Sequence, residues 1–228
     1  MNFHNQNIDH FAISICMFAK TKKMKILVEY QYLPPVYLFS ALYKFRHIIF
    51  EEYEFYQKMS FRNRCVLAGA EGPVQLSIPV SRGRNQKTLI TEVQVANRYN
   101  WQLQHWKTIE SCYRSAPWFE YYGPGLEKFY NTPYTHLIKW NLELFLWIVD
   151  KLGLKTEIDF TQDFQALYPE NKFVDVRNTI LPKTYMNMSS KPYQQVFSDR
   201  AGFYHNLSII DLLLCQGKGA VEYLKGIV

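Results

Sequence analysis

Two arginines one residue apart, Arg62 and Arg64 in the stretch RNRC at 62–65, are the densest chemical signal in the chain. In an extended segment both side chains project to one face. Planar guanidinium forks arranged that way suit a phosphate or a carboxylate, each gripping it through two hydrogen bonds. Asn63 between them adds an amide, and Cys65 adds a thiol. The plainer alternative is a pair of solvated or salt-bridged arginines on a strand edge. Basic residues recur in the next polar loop, at Arg82, Arg84 and Lys87, so an anion site is the inference these positions favour.

Four other groups of residues could carry chemistry. His105 sits in a helical stretch, NWQLQHWKTIESCYRS, at the border of its apolar stripe. An imidazole there can act as a general base near neutral pH, or can simply bond a carbonyl. Glu110 follows Lys107 by three residues and precedes Arg114 by four, which suits a surface ion network as well as a catalytic role. Asn206 precedes a Ser208-x-x-Asp211 capping pattern; its amide can face a ligand or shape the turn. Tyr30, Tyr32 and Tyr37 crowd one short segment where a sugar or a base can stack.

The four cysteines, Cys16, Cys65, Cys112 and Cys215, show no C-x-x-C pair and no histidine spacing of a zinc site, so no metal is expected and the thiols read as reduced and inert. The chain has no Walker-type phosphate loop, dinucleotide glycine fingerprint, G-x-S-x-G elbow or H-E-x-x-H motif. Hydrolases and dehydrogenases of those kinds are therefore disfavoured, and no cofactor is expected.

These candidates need a scaffold. At 228 residues and 48% hydrophobic, the chain can bury a sizeable core. Its net charge of +6 is a moderate excess that suits an anionic partner, and nucleic acid is not expected without a denser basic face. The early run FAISICMFAK lacks preceding basic residues, the wrong order for export. The apolar segment Leu142 to Val149 is far shorter than the roughly 20 residues of a membrane helix. The expectation is a cytoplasmic protein with no membrane span, in which 1–23 is an N-terminal extension and 24–228 a single domain.

Residues 25–31 read as a buried strand that Pro34 and Pro35 stop. Val36, Phe39, Leu42 and Tyr43 follow at helical spacing, and 47–53 reads as a second strand. A parallel β-α-β unit results, and ligands collect outside the carboxyl ends of such strands. Here that means the Gln31 to Pro35 loop and the segment from Glu54 to Arg64. Two further strand-like runs flank the Ala70-Glu71-Gly72-Pro73 turn, with Pro79 ending or edging the second, and Thr91, Val93 and Val95 alternate again.

From Asn100, a candidate cap, the pattern turns helical, with Leu103, Trp106, Ile109 and Tyr113 facing inward until Pro117. A second helix is expected from Thr132 and Pro133 to Gly153, apolar almost all round between Leu142 and Val149 and so central. After Thr161 no period is sustained, which predicts a long ordered crossing or a lid. A last helix begins near Asn206 and stops at Gly217. The fold class is α/β: an N-terminal β-α-β unit with a mixed sheet, then a mainly helical C-terminal half.

Four segments, YLPPVYLFSAL (32–42), RNRC (62–65), NWQLQHWKTIESCYRSAPWFEYY (100–122) and YQQVFSDRAGFYHNLSIIDLL (193–213), together resemble the WbqC-like protein family, the last in the form of its Bacteroidetes-type branch. The resemblance spans about residue 24 to 225. It implies a cytoplasmic step in O-antigen or other surface-polysaccharide biosynthesis, leaning to a transferase that moves an acyl or aminoacyl group onto an activated sugar. The implied ligand is a small anion such as a nucleotide-sugar or an acyl thioester. A non-catalytic binding or scaffolding protein of the same pathway is the alternative. The family's recurrent polar positions fall on Arg62, Asn63, Arg64, Asn100, His105, Glu110 and Asn206. Many members carry His-Gln-Pro-Asn before the first loop. Here Val28, Glu29, Tyr30 and Gln31 stand there, so Glu29 or Gln31, beside Tyr32, is left to supply the polar contact, and His105 is the remaining motif histidine.

Overall fold

The computed structural model describes residues 24–82, 87–97, 99–188 and 190–227, with the backbone alone at Arg82. The proposed extension at 1–23, with Cys16, and the loop residue Arg84 lie outside the described residues.

The first strand, β1 (Lys25–Val28), is buried at three of its four positions, and helix α1 (Val36–Leu42) at all seven. Together with β2 (His47–Phe50) they form the expected β-α-β unit, and β1 and β2 pair in parallel from Lys25↔His47 to Val28↔Phe50. Ile26 and Ile48 are sealed from solvent. Burying each such side chain contributes about 1.5–3 kcal/mol, which is why an apolar strand, a two-proline break and an apolar helix suffice to specify this corner.

Two more strands complete the sheet, β7 (Glu157–Phe160) beside β2 and β8 (Phe173–Asp175) beside β1, both parallel, giving the order β7-β2-β1-β8. The crossing expected after Thr161 thus holds the strand β8. The antiparallel pairs stand apart from this sheet. Strands β3 (Arg64–Gly69) and β4 (Gly72–Ser77) form a hairpin around the predicted turn, and β5 (Val80–Arg82) pairs with β6 (Gln94–Val95). The α/β class holds, with parallel and antiparallel pairings segregated.

The helical part begins with α2 (Trp101–Tyr113), preceded by Asn100. Asn100 occupies the cap position but its side chain makes no capping hydrogen bond. The buried face of α2 includes His105, Trp106, Ile109 and Tyr113, while Leu103 is 42% exposed. The expected stripe is therefore rotated: the imidazole faces in and the leucine out, because His105 finds polar partners inside.

Helix α3 (Phe119–Tyr130) runs through Gly123, Pro124 and Gly125, the residue types of weakest helix propensity. Its buried side, with Tyr122, Leu126 and Tyr130, offsets the weak propensity. Gly125 has a packing reason, since a Cβ there would lie 3.2 Å from the Trp147 indole. Helix α4 (Leu137–Lys151) starts after the expected Thr132–Pro133 boundary, and Leu146 on its outer face is 43% exposed, so it is amphipathic and not apolar all round. Gly153, at φ +64°, closes it as expected.

A short α5 (Ser198–Ala201) precedes α6 (Ile209–Gln216) and α7 (Ala220–Lys225). Ser208 caps α6 by accepting from the Ile210 amide, but Asp211 does not reciprocate. Its carboxylate accepts instead from Tyr113, Tyr193 and Gln195, so the capping box does not form. Among the described residues no helix is long and apolar enough to cross a membrane.

Candidate functional site

The chain runs from β1 through β2, reaches β7 on the far side of β2, and returns to place β8 on the other edge of β1. The order reverses between β1 and β8. In open parallel sheets this is where ligands enter, outside the carboxyl ends of the strands. The residues leaving β1, β2 and β8 here are Glu29, Glu51 to Glu54, and Val176 to Asn178.

Three glutamates from these ends are almost sealed, Glu29 at 3%, Glu51 at 0% and Glu54 at 4% exposure. Arg62, itself 0% exposed, closes on Glu54 through Nε, 2.7 Å from Oε1, and through Nη2, which also donates to Asn178 Oδ1 at 2.9 Å. The Asn178 amide donates to Glu29 Oε2 at 3.1 Å, and Gln31 Nε2 donates to Glu29 Oε1 at 2.7 Å. Glu51 accepts from Thr161 Oγ1 at 2.9 Å and from Arg177 Nη1 at 2.6 Å. Arg177 also holds Asp175 and lies over the rings of Phe164 and Tyr168.

The network leaves hydrogen-bonding capacity unused. Arg62 Nη1, Gln31 Oε1 and Arg64 Nε are buried without a partner among the described residues. The network meets a cavity of about 790 Å³ through Glu54, Arg177 and Asn178, and Tyr56, Lys58 and Phe164 complete its wall. Tyr53, Phe55 and Phe164 line it too and remain partly exposed, at 42%, 53% and 55%, giving it an aromatic rim. Leu33 and Asn178 both adopt positive φ, +44° and +58°. For a leucine that is strained by about 1–3 kcal/mol, and such strain gathers at functional sites.

Burial holds the Glu54 carboxyl up at about 7; Arg62 pulls it down, and the nearby charges of Glu29 and Glu51 push it up further. Arg62 itself is raised by Glu54 and Glu29 against its own desolvation, so the guanidinium keeps its charge.

The residues singled out from sequence divide among three places. Gln31 and Arg62 belong to the charge network. Asn63 pins the same segment, exchanging bonds with Ile78: its side chain donates to the Ile78 carbonyl at 2.8 Å and the Ile78 amide donates back to its carbonyl at 2.8 Å. Arg64, half-buried at the start of β3, has no acidic partner among the described residues. The two arginines thus differ: Arg62 is bound into the network and Arg64 is not.

Tyr32 and His105 meet in a second cluster. Tyr32 OH lies 3.0 Å from His105 Nδ1 and 2.7 Å from Tyr130 OH, and the Tyr32 and His105 rings stack at 5.8 Å. The edge of Trp101 closes the other side. Burial pushes the imidazole down to about 4, so it is neutral at pH 7.

Glu110 and Asn206 stand away from both clusters. Glu110 faces outward on α2, 3.7 Å from Arg114. Asn206, at φ +54°, donates to the Tyr185 and Met188 carbonyls and shapes the turn before α6. Cys65, Cys112 and Cys215 are buried free thiols whose burial raises their pKa, which keeps them protonated. No group of three His, Cys, Asp or Glu side chains suited to a metal occurs among the described residues.

Sequence reasoning did not single out Glu54, Glu51, Arg177 or Asn178. The available signal was position: Glu54 directly follows the predicted strand at 47–53, and Glu51 lies near its ligand end, just past the observed end of β2 at Phe50. For Arg177 and Asn178 the strand before them was itself unrecognised.

No curated protein and no solved structure matches the chain. Residues 30–179 match the WbqC-like protein family, a span that runs from the end of β1 past Asn178 and so takes in Glu54, Arg62 and the cavity. With about two thirds of its length matched, the chain belongs to the WbqC-like protein family.

Proposed function

We propose that this protein is a group transferase of O-antigen or other surface-polysaccharide biosynthesis, moving an acyl or aminoacyl group onto an activated sugar in the cavity at the carboxyl ends of β2 and β8. One observation carries the reading: a cavity of about 790 Å³ at the carboxyl ends of β2 and β8, lined by Glu54 and Arg177 of two buried ion pairs and rimmed by aromatic side chains. Pockets of about 300–1,000 Å³ suit small-molecule substrates. Aromatic faces favour a sugar or a base, and the lining cations Lys58 and Arg177 favour the phosphates of a nucleotide-sugar or the phosphate-bearing carrier of an acyl thioester. The association of the family with polysaccharide biosynthesis supplies the setting.

A thermal-shift screen of nucleotide-sugars and acyl thioesters, followed by mass spectrometry of products, tests this reading. A donor that raises the melting temperature and yields an acylated sugar supports it. The alternative, a binding protein of the same pathway, draws support from the closure of Arg62 on Glu54 and of His105 on Tyr32. Saturable binding of a sugar nucleotide with no product from any donor favours that alternative.

A further inference from the structure

Resting on the transferase reading, we propose that Glu54 is the catalytic base of the site, taking the proton from the amino or hydroxyl group of the acceptor, with Arg62 as its positioning residue. Three observations converge on it. Glu54 lines the cavity although only 4% of it is exposed, so a substrate drawn in would meet a carboxylate with little competing water. Both its oxygens are oriented by one guanidinium, and that guanidinium is fixed in turn. Nη2 bonds Asn178, and the Arg62 carbonyl accepts from Asn141 Nδ2 at 2.7 Å. Each carboxylate oxygen can accept a second hydrogen bond, so orientation by Arg62 leaves room for an acceptor N–H or O–H.

The surroundings set the proton affinity. Facing Glu54 are Arg62 from the loop before β3, Glu29 from the end of β1 and Glu51 from the end of β2. Across the cavity stand Lys58, Tyr56, Asp175 and Arg177. Desolvation and the two glutamates outweigh Arg62, and the group titrates at about 7. A base poised near the working pH is the efficient one, because both its free form and its drive to take a proton are then substantial. His105 is placed differently: it is 6% exposed, its ring is stacked on Tyr32, and the cavity wall does not include it.

In the step itself, the acceptor nitrogen or oxygen forms the bond to the acyl carbon as Glu54 takes its proton. The bond from that carbon to the donor's leaving sulfur or oxygen breaks with its electron pair. Protonated Glu54 then gives the proton to the departing thiolate or oxyanion, which restores the carboxylate.

The test compares wild type, Glu54→Gln and Glu54→Asp, with the donor found in the screen and an amino-sugar acceptor, from pH 5.5 to 8.5. Glutamine keeps the shape and one acceptor for Arg62. The expected result is donor affinity within about threefold of wild type and a kcat lower by at least about 100-fold. Wild-type kcat should rise with pH and level off above about 7, and Glu54→Asp should keep that rising limb at a reduced rate. A Glu54→Gln kcat within about fivefold of wild type would overturn the proposal. So would a wild-type profile flat from pH 5.5 to 8, a measurement that needs no variant. A wild type that binds donors but never turns over would overturn the transferase reading itself, and this role with it.

Discussion

Glu54 and Asp211 are both carboxylates buried to within 4% of complete, and burial lifts both above their ordinary range, to about 7 and about 6. Their partners differ. Asp211 accepts from three neutral donors, Tyr113 OH at 2.9 Å, Tyr193 OH at 2.5 Å and Gln195 Nε2 at 3.0 Å. Tyr113 OH accepts in turn from the Ala68 amide of β3, and Gln195 exchanges two bonds with the Tyr204 backbone. Every polar atom of that cluster has a partner, so it works as a fastener joining α2, α6, β3 and the loop at 193–204. Glu54 faces a cation, a cavity and a set of unsatisfied donors and acceptors. A closed buried network holds elements together, whereas an open one beside a cavity retains capacity for a ligand.

Arg62→Met should cost the most. It strips Glu54 of its ion-pair partner and leaves a buried carboxylate, a loss of about 3–5 kcal/mol, read by urea unfolding at pH 8. Because Glu54 holds its proton below about 7, the penalty should shrink at pH 5. An equal penalty at both pH values would mean that packing of the arginine stem, and not charge, dominates.

Asp211→Ala comes next. It leaves two tyrosine hydroxyls and an amide without their acceptor, and about 3 kcal/mol of stability should go. Donor affinity at the cavity should stay at the wild-type level. A variant that lost ligand binding while its melting temperature barely moved would reverse the two roles.

Most of the scaffold could be read from the chain, and most of the site could not. The β-α-β corner was legible because its strands are continuous apolar runs and its break is two prolines. Strands β7 and β8 were not: β7 is a polar edge strand with three of its four residues exposed and the fourth half-buried, and β8 has three residues with a single buried one. Neither offers a period to detect. The carboxyl-end network depends on β8, since it carries Arg177 and Asn178 to the Glu51 and Glu54 that follow β2, 126 and 116 residues away from their partners Glu51 and Arg62. Arg62 and Gln31 stood out by type, but an arginine's partner is a matter of tertiary distance, and the sequence holds no sign that Glu54 would take the fork meant for an anion. The rotation of α2 has the same origin. Periodicity assigns Leu103 inward, but Tyr32 and Tyr130, which give His105 a reason to be buried, lie 73 residues from it and 98 from Tyr32 respectively.

The pH dependence of stability separates the two carboxylates further. The folded state raises Glu54 from the usual 4.5 to about 7, so the protonated form is favoured by folding. Its contribution is complete below about 4.5 and is lost as pH rises through about 7. Glu54→Gln does not titrate. Its melting temperature relative to wild type should therefore climb between pH 5 and 8, by the equivalent of at most about 3 kcal/mol. Asp211→Asn should show the same sign at lower pH, since its loss runs from the usual 3.8 to about 6. A relative melting temperature for Glu54→Gln that fell with rising pH would show that Arg62, and not burial, governs this carboxyl.

Glu110→Ala should have the smallest effect of all. Glu110 is one of the polar positions that recur in the family resemblance, but its carboxylate lies 3.7 Å from an Arg114 side chain that is 78% exposed. An exposed pair at i, i+4 contributes about 0.3–0.5 kcal/mol, and salt screens it. Denaturant unfolding of Glu110→Ala should fall within that margin, and the margin should close in 1 M salt, where the screening length is about 3 Å. Turnover should match wild type, because the residue faces away from both the Glu54 cavity and the His105 box. A tenfold loss of rate with stability intact would instead mean that the outer face of α2 meets a substrate or a partner protein, and would move the functional surface from the sheet to the helices.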